Sequence, residues 1–194
     1  MTAHSKSTDP EEHGNFGKAC APGYKPAAFF FKQTSRQGEL RLVAWSGNLD
    51  QVKSTYYKLL ELFPDDVAVL LKTEPEDDEP QNRQRWIRFH GYSSVRDVRE
   101  AIRAHEDYVF EDGHHQLFIR RMDTDEYFGL DEFGVLYIYP HDARRFVDVL
   151  ESAGYAQRKN ELLSDIGHWR YAPGNSDEMR ESLISKLLLH DASQ

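Results

Sequence analysis

The chain has 194 residues, of which 39% are hydrophobic and 12% aromatic, enough apolar material for one substantial core and too much for wholesale disorder. Its formal net charge of −9 argues against general nucleic-acid binding, because that affinity comes from Lys and Arg neutralising phosphates. No apolar run approaches the roughly 20 residues of a membrane span, and the N-terminus has no apolar core of a secretory signal, so a cytoplasmic protein without a membrane role is expected.

Residues 1–26 are rich in Ser, Gly, Pro, Lys, Glu and His without apolar periodicity, and are expected to form a mobile N-terminal tail. The lone cysteine, Cys20, lies there. One cysteine gives neither an internal disulfide nor a cysteine-based zinc site within the chain, which fits a reducing compartment.

Residues 27–194 are expected to form a single α+β domain. Ala28 to Gln33 is an aromatic strand, Thr34 to Gly38 a turn, and Glu39 to Ser46 the returning strand of a hairpin. Leu49, Val52, Tyr56, Leu59, Leu60 and Phe63 then fall on one helical face, with Asn48 as the N-cap and Pro64-Asp65 as the stop. The short apolar run Val67 to Thr73 predicts a central strand covered on both faces. Two prolines and five carboxylates between Glu74 and Pro80 predict a solvated acidic loop.

From Arg85 to Tyr92 the chain alternates Trp86, Arg88 and His90 against Ile87 and Phe89, as a strand does. Ser94 and Asp97 resemble a capping box ahead of Val95, Val98 and Ile102. Asp112-Gly113 signals a turn, and Gln116 to Met122 a strand. The stretch from Glu126 to Gly154 is the most explicit in the chain. Aromatic and β-branched residues flank Asp131-Glu132-Phe133-Gly134, which predicts a hairpin. After Pro140, Asp142 caps a helix with Phe146, Val149, Leu150 and Ala153 on its apolar stripe and Gly154 just past its end. The C-terminal part predicts a short strand at His168 to Ala172 and a last helix, capped by Asn175 or Ser176, carrying Met179, Leu183, Leu187 and Leu188. The sum is one mixed, mostly antiparallel sheet with three to four helices layered mainly on one face. Strand or hairpin followed by helix recurs from about residues 28, 85 and 126, without residue-level identity between the units.

Signatures of chemistry are missing. There is no G-x-S-x-G, no phosphate-loop sequence, no G-x-G-x-x-G and no H-E-x-x-H. His105, His114 and His115 sit among carboxylates, but adjacent strand residues point to opposite faces, so the expectation is exposed imidazoles in a polar turn. Counting an EF-hand from Asp123 places Phe128 where Gly is needed and Gly134 where an acid is needed, so Asp123, Asp125, Glu126, Asp131 and Glu132 are read as solubilising the hairpin. Trp45-Ser46-Gly47-Asn48 is read as an ordinary strand-to-helix turn that lacks the glycines of an anion loop. Neither a cofactor nor a metal is expected.

The best candidate surface is Trp86, Arg88 and His90, joined by Arg120 if the two strands share a face. Tyr137 and Tyr139 share a face with Val135 and read as half-buried strand residues. Two classes of function remain. The first is a noncatalytic protein-protein interaction module whose acidity suits a basic protein partner; small toxin-immunity proteins work in this way, an analogy of class and not of family. The second is a binder of small molecules or anions, or an enzyme, with its site around Trp86, Arg88, His90 and Arg120.

Overall fold

The computed structural model describes residues 27–34, 38–63, 66–74, 86–159 and 172–192. The predicted tail, most of the acidic segment and most of the strand expected at His168 to Ala172 lie outside them. The first hairpin is β1 (Phe29–Thr34) with β2 (Leu40–Trp45), in register from Phe29 opposite Trp45 to Thr34 opposite Leu40. Helix α1 (Leu49–Leu60) starts as predicted, the Asn48 side chain accepting from the backbone N–H of Gln51 at 3.1 Å. Strands β3 (Asp66–Thr73) and β4 (Ile87–Ser94) pair antiparallel along their whole length. Ser94 caps α2 (Val95–Ala104), accepting from the Asp97 N–H at 3.0 Å while its hydroxyl donates to the Asp97 carboxylate at 2.7 Å.

Next come α3 (Glu106–Glu111), β5 (His115–Arg121), β6 (Tyr127–Leu130) and β7 (Leu136–Tyr139). Asp131 closes the β6–β7 turn by accepting from Phe133 and Val135 N–H groups, and Gly134 takes the positive φ of 71° that the turn requires. Asp142 caps α4 (Ala143–Ser152) through the Arg144 N–H at 2.9 Å, and Gly154 leaves the helix at φ 86°. The chain ends with β8 (Ala156–Gln157), α5 (Ser176–Lys186) and β9 (His190–Asp191).

The nine strands form one sheet in the order β8-β1-β2-β7-β6-β5-β3-β4-β9. Every neighbouring pair is antiparallel except β1 with β8. The fold is therefore α+β with a single mixed sheet, and the described residues hold five helices, one more than the upper expectation. The extra one is α3, whose six residues are too few to display a helical period. Strands β8 and β9 escaped for the same reason, since two residues cannot show alternation. Leu188, expected on the last helical stripe, lies beyond the helix at φ 50° and is 72% exposed.

All five helices pack on one face, where Phe30, Leu42, Val69, Leu71, Leu117, Ile119, Phe128 and Ile138 meet Val52, Tyr56, Ile102, Val109, Phe146, Leu150 and Leu183. Aromatic edges knit this layer together: Tyr56 meets Phe128 at 4.9 Å and Phe110 at 5.4 Å, and Phe63 bridges Phe128 to Phe146. Fully burying side chains of this size contributes about 2–3 kcal/mol each. A smaller apolar cluster of Phe29, Phe31, Val43, Trp45 and Val135 occupies the other face at the β1–β2 end.

Polar groups tie the hairpin to the helices. Glu126, 1% exposed, accepts from Arg145, from Arg121 at 3.5 Å and from the His141 N–H at 3.0 Å, while Arg145 also donates to the Leu62 carbonyl. Glu126 and the buried Asp131 are thus structural, correcting the reading of these carboxylates as solubilising charges.

Burial pushes the phenols of Tyr56 and Tyr108 well up, and that of Tyr155 up to about 12 from an ordinary 10.0. The unfolded chain would release these protons near pH 10, whereas the folded chain holds them. Stability is therefore full below about pH 10 and falls as pH rises toward 12 and beyond. Urea unfolding at a series of pH values should show a flat midpoint up to pH 10 and a decline above it; a midpoint unchanged to pH 12 would refute the burial of these hydroxyls.

Candidate functional site

Because side chains alternate along each strand, sealing one sheet face with helices sends the intervening residues of β2, β7, β6, β5, β3 and β4 to the other. The registers align them in rows. One row runs Val43, Tyr137, Gly129, Phe118, Leu70, His90. The next carries Tyr139, Tyr127, Arg120, Ala68 and Tyr92, and a third Gln116, Lys72 and Arg88. Most of these side chains line an open groove of about 760 Å³, with Arg41 at one end and Asp131, Glu132 and Phe133 on one wall.

The aromatic part is ordered by contact. Tyr127 stacks on Tyr139 with centroids 4.2 Å apart, and Phe118 meets Tyr127 edge-on at 6.3 Å. Phe118 can occupy this position because its cross-strand partner is Gly129: a Cβ there would collide with the Phe118 ring and lie 2.5 Å from the Leu117 carbonyl. Arg41 donates to Gln33 at 2.8 Å and to the Tyr139 hydroxyl at 3.3 Å, with its guanidinium 5.6 Å from the Tyr137 ring centre. Lys72 stands 5.0 Å from the centre of Phe118.

Charge in the groove is mixed but leans positive. Gln116 donates to Glu132, and Arg120 pairs with Asp125. Burial, then the Arg88 charge opposite, holds the Lys72 ammonium below the ordinary lysine range, with Glu132 acting against both. Burial raises the phenols of Tyr127 and Tyr137, helped by neighbouring Tyr139 in the first and by Asp131 in the second, where it reaches about 12. Tyr127 and Tyr137 therefore keep their phenol protons at physiological pH.

Of the four residues singled out in the sequence, Arg88, His90 and Arg120 lie on this face. His90 and Arg120 line the groove, Arg88 stands exposed beyond Lys72, and Trp86 precedes β4 and is half-buried. Arg41, Lys72, Tyr92, Phe118 and Tyr127 were missed. The signal for Lys72 lies in the alternation of Ala68, Leu70 and Lys72 against Val67, Val69 and Leu71, whereas the unbroken apolar run predicts a strand covered on both faces. In the folded chain one face of β3 is buried and the other is half-exposed.

Other candidates are resolved by their contacts. In the turn before α1 the Asn48 N–H binds the Ser46 hydroxyl at 3.0 Å and the Gln51 N–H binds the Asn48 side chain, so these two donors serve the turn and the helix cap. His105 and His115 are buried rather than exposed. Among the described residues no group of three or more His, Cys, Asp or Glu side chains is arranged to hold a metal ion. No helix among the described residues is long and apolar enough to cross a membrane. No protein-family model matches the chain, and neither a curated protein nor a solved structure matches it.

Gly129→Ala should destabilise the protein by about 1–3 kcal/mol, the usual range for forcing volume into a packed site. Urea denaturation measures it. A variant as stable as the parent would mean that Phe118 does not lie across the β6 backbone.

Proposed function

We propose that this protein is a noncatalytic interaction module, working in the cytoplasm, that docks a partner protein on the helix-free face of its sheet. The observation that carries this reading is the row structure of that face, in which Tyr92, Phe118, Tyr127, Tyr137 and Tyr139 are interleaved with Arg41, Lys72 and Arg88 on rigid, hydrogen-bonded strands. Tyr and Arg supply much of the energy of protein interfaces, because they offer large contact areas and directed hydrogen bonds at low cost in side-chain entropy. A partner that is basic overall suits the net charge of −9 and would be drawn in faster at low salt. At the contact itself the groove suits planar and acidic side chains of that partner.

A second reading, a small-molecule or anion binder or an enzyme with its site around Trp86, Arg88, His90 and Arg120, draws support from the groove's volume, which lies in the range of ligand pockets. Against catalysis stands the setting of His90. It is exposed, and no carboxylate among the described residues pairs with it to make an acid-base dyad.

The full chain, tagged and captured from extract of its native host, should bring down one basic protein in near-equimolar amount. The double variant Arg88→Glu with Tyr92→Ser should lose that protein at least tenfold while unfolding at a temperature no lower than the parent's. The control Arg144→Glu, on the exposed side of α4, should retain it. Equal recovery by the groove variant would overturn the assignment of this face.

A further inference from the structure

Lys72 and Arg88 are direct cross-strand partners on the groove side of the β3–β4 pair. Directly opposed residues of antiparallel strands have Cβ atoms about 4.5–5.5 Å apart, and like charges there repel. Neither side chain has an ion-pair partner among the described residues. Glu132, the carboxylate whose charge reaches Lys72, accepts from Gln116. His90 follows Arg88 on the same side of β4, and the Phe118 ring lies beneath Lys72 while Tyr92 stands open at 66% exposure.

Two cations in register, one imidazole beside them and an aromatic floor are costly in an empty groove and complementary to a particular chemistry. We propose that Lys72 and Arg88, flanked by His90, form an oxyanion subsite that receives a carboxylate or phosphate carried next to an aromatic ring, the ring lying along Phe118 toward Tyr92. The subsite rests on the docking reading above and specifies which group of the partner enters the groove. An oxyanion between the two cations removes their repulsion, and the Arg88 guanidinium can hold it with two parallel hydrogen bonds. Lys72, half-buried, loses less to solvent screening than a surface lysine does. The ring supplies apolar contact that an inorganic anion lacks.

The test uses the full chain with phenyl phosphate, benzoate, inorganic phosphate and benzyl alcohol as probes, read by isothermal titration and by the thermal midpoint. Phenyl phosphate or benzoate should bind at least tenfold more tightly than benzyl alcohol, and the aromatic anion should exceed inorganic phosphate. Whichever of the two aromatic anions binds more tightly identifies the partner group as phosphoryl or carboxyl. Arg88→Gln should raise the midpoint of the ligand-free chain, because it relieves the repulsion, and should weaken the aromatic anions at least tenfold. Lys72→Met should reproduce the loss of binding. Equal binding of benzyl alcohol and the anions, or an anion affinity untouched by Arg88→Gln, would overturn the subsite. If the partner protein is still lost with the groove double variant while these anions fail to bind, the docking face stands and the subsite falls. If the anions bind as described while partner capture ignores the groove variant, the docking face falls alone.

Discussion

The structure depends on one-sided sealing of a nine-stranded sheet. Five helices cover a single face, so period-two alternation has to place apolar residues of the central strands beneath them and send the remainder outward. A one-residue slip of β5 against β3 would exchange Leu117 and Ile119 with Gln116, Phe118 and Arg120, driving a charge into the core. The register that buries the core is therefore the same register that assembles the groove. Groove and core are read from opposite parities of the same strands.

Buried polar contacts hold the frame to which the groove belongs. Glu126 fixes the start of β6 to α4 through Arg145, and Asp131 fixes the turn at the far end of the same strand. His105 donates from Nδ1 to the Ala101 carbonyl and so accepts, in its neutral form, from the Ser182 hydroxyl, pinning α2 to α5. Asp112 is buried, which works against its charge. His115, whose Nδ1 lies 3.7 Å away, together with Ser176 and the His114 N–H at 2.7 Å, more than offsets that and leaves its carboxyl below the usual range. Leaving such groups unpaired would cost about 1–3 kcal/mol each, more for the charged ones. Their contribution is to specify geometry at least as much as to stabilise it.

Much of this was legible in the sequence where the signal is local. The caps at Asn48, Ser94 and Asp142, the glycines at 134 and 154 and the stripes of α1, α2 and α4 follow from short-range chemistry, and the folded chain has them. Elements shorter than their own period, α3, β8 and β9, left no pattern to read. The site was legible only in part, because a cross-strand row exists in register and not in spacing. Arg88, His90 and Arg120 stood out by charge, whereas Lys72 and Phe118 were hidden inside apolar runs, and Glu126 gave no sign in the sequence that its carboxylate is buried. The second strand–helix unit shows the same limit: it begins with β3 at Asp66, since the 13 residues between Thr73 and Ile87 separate two strands that pair throughout.

Tyrosines lie on both faces of the sheet, and chemical modification of five of them can tell the faces apart. Tyr56, Tyr108 and Tyr155 lie in the helix-covered core, while Tyr92 and Tyr139 belong to the open face. Nitration of the native full-length chain, followed by peptide mass spectrometry, reads each one. Tyr92 and Tyr139 are predicted to react while the three core tyrosines are spared until the protein unfolds. Protection of Tyr92 and Tyr139 in the native chain, or early nitration of Tyr56, would contradict the division of the sheet into one sealed face and one open face.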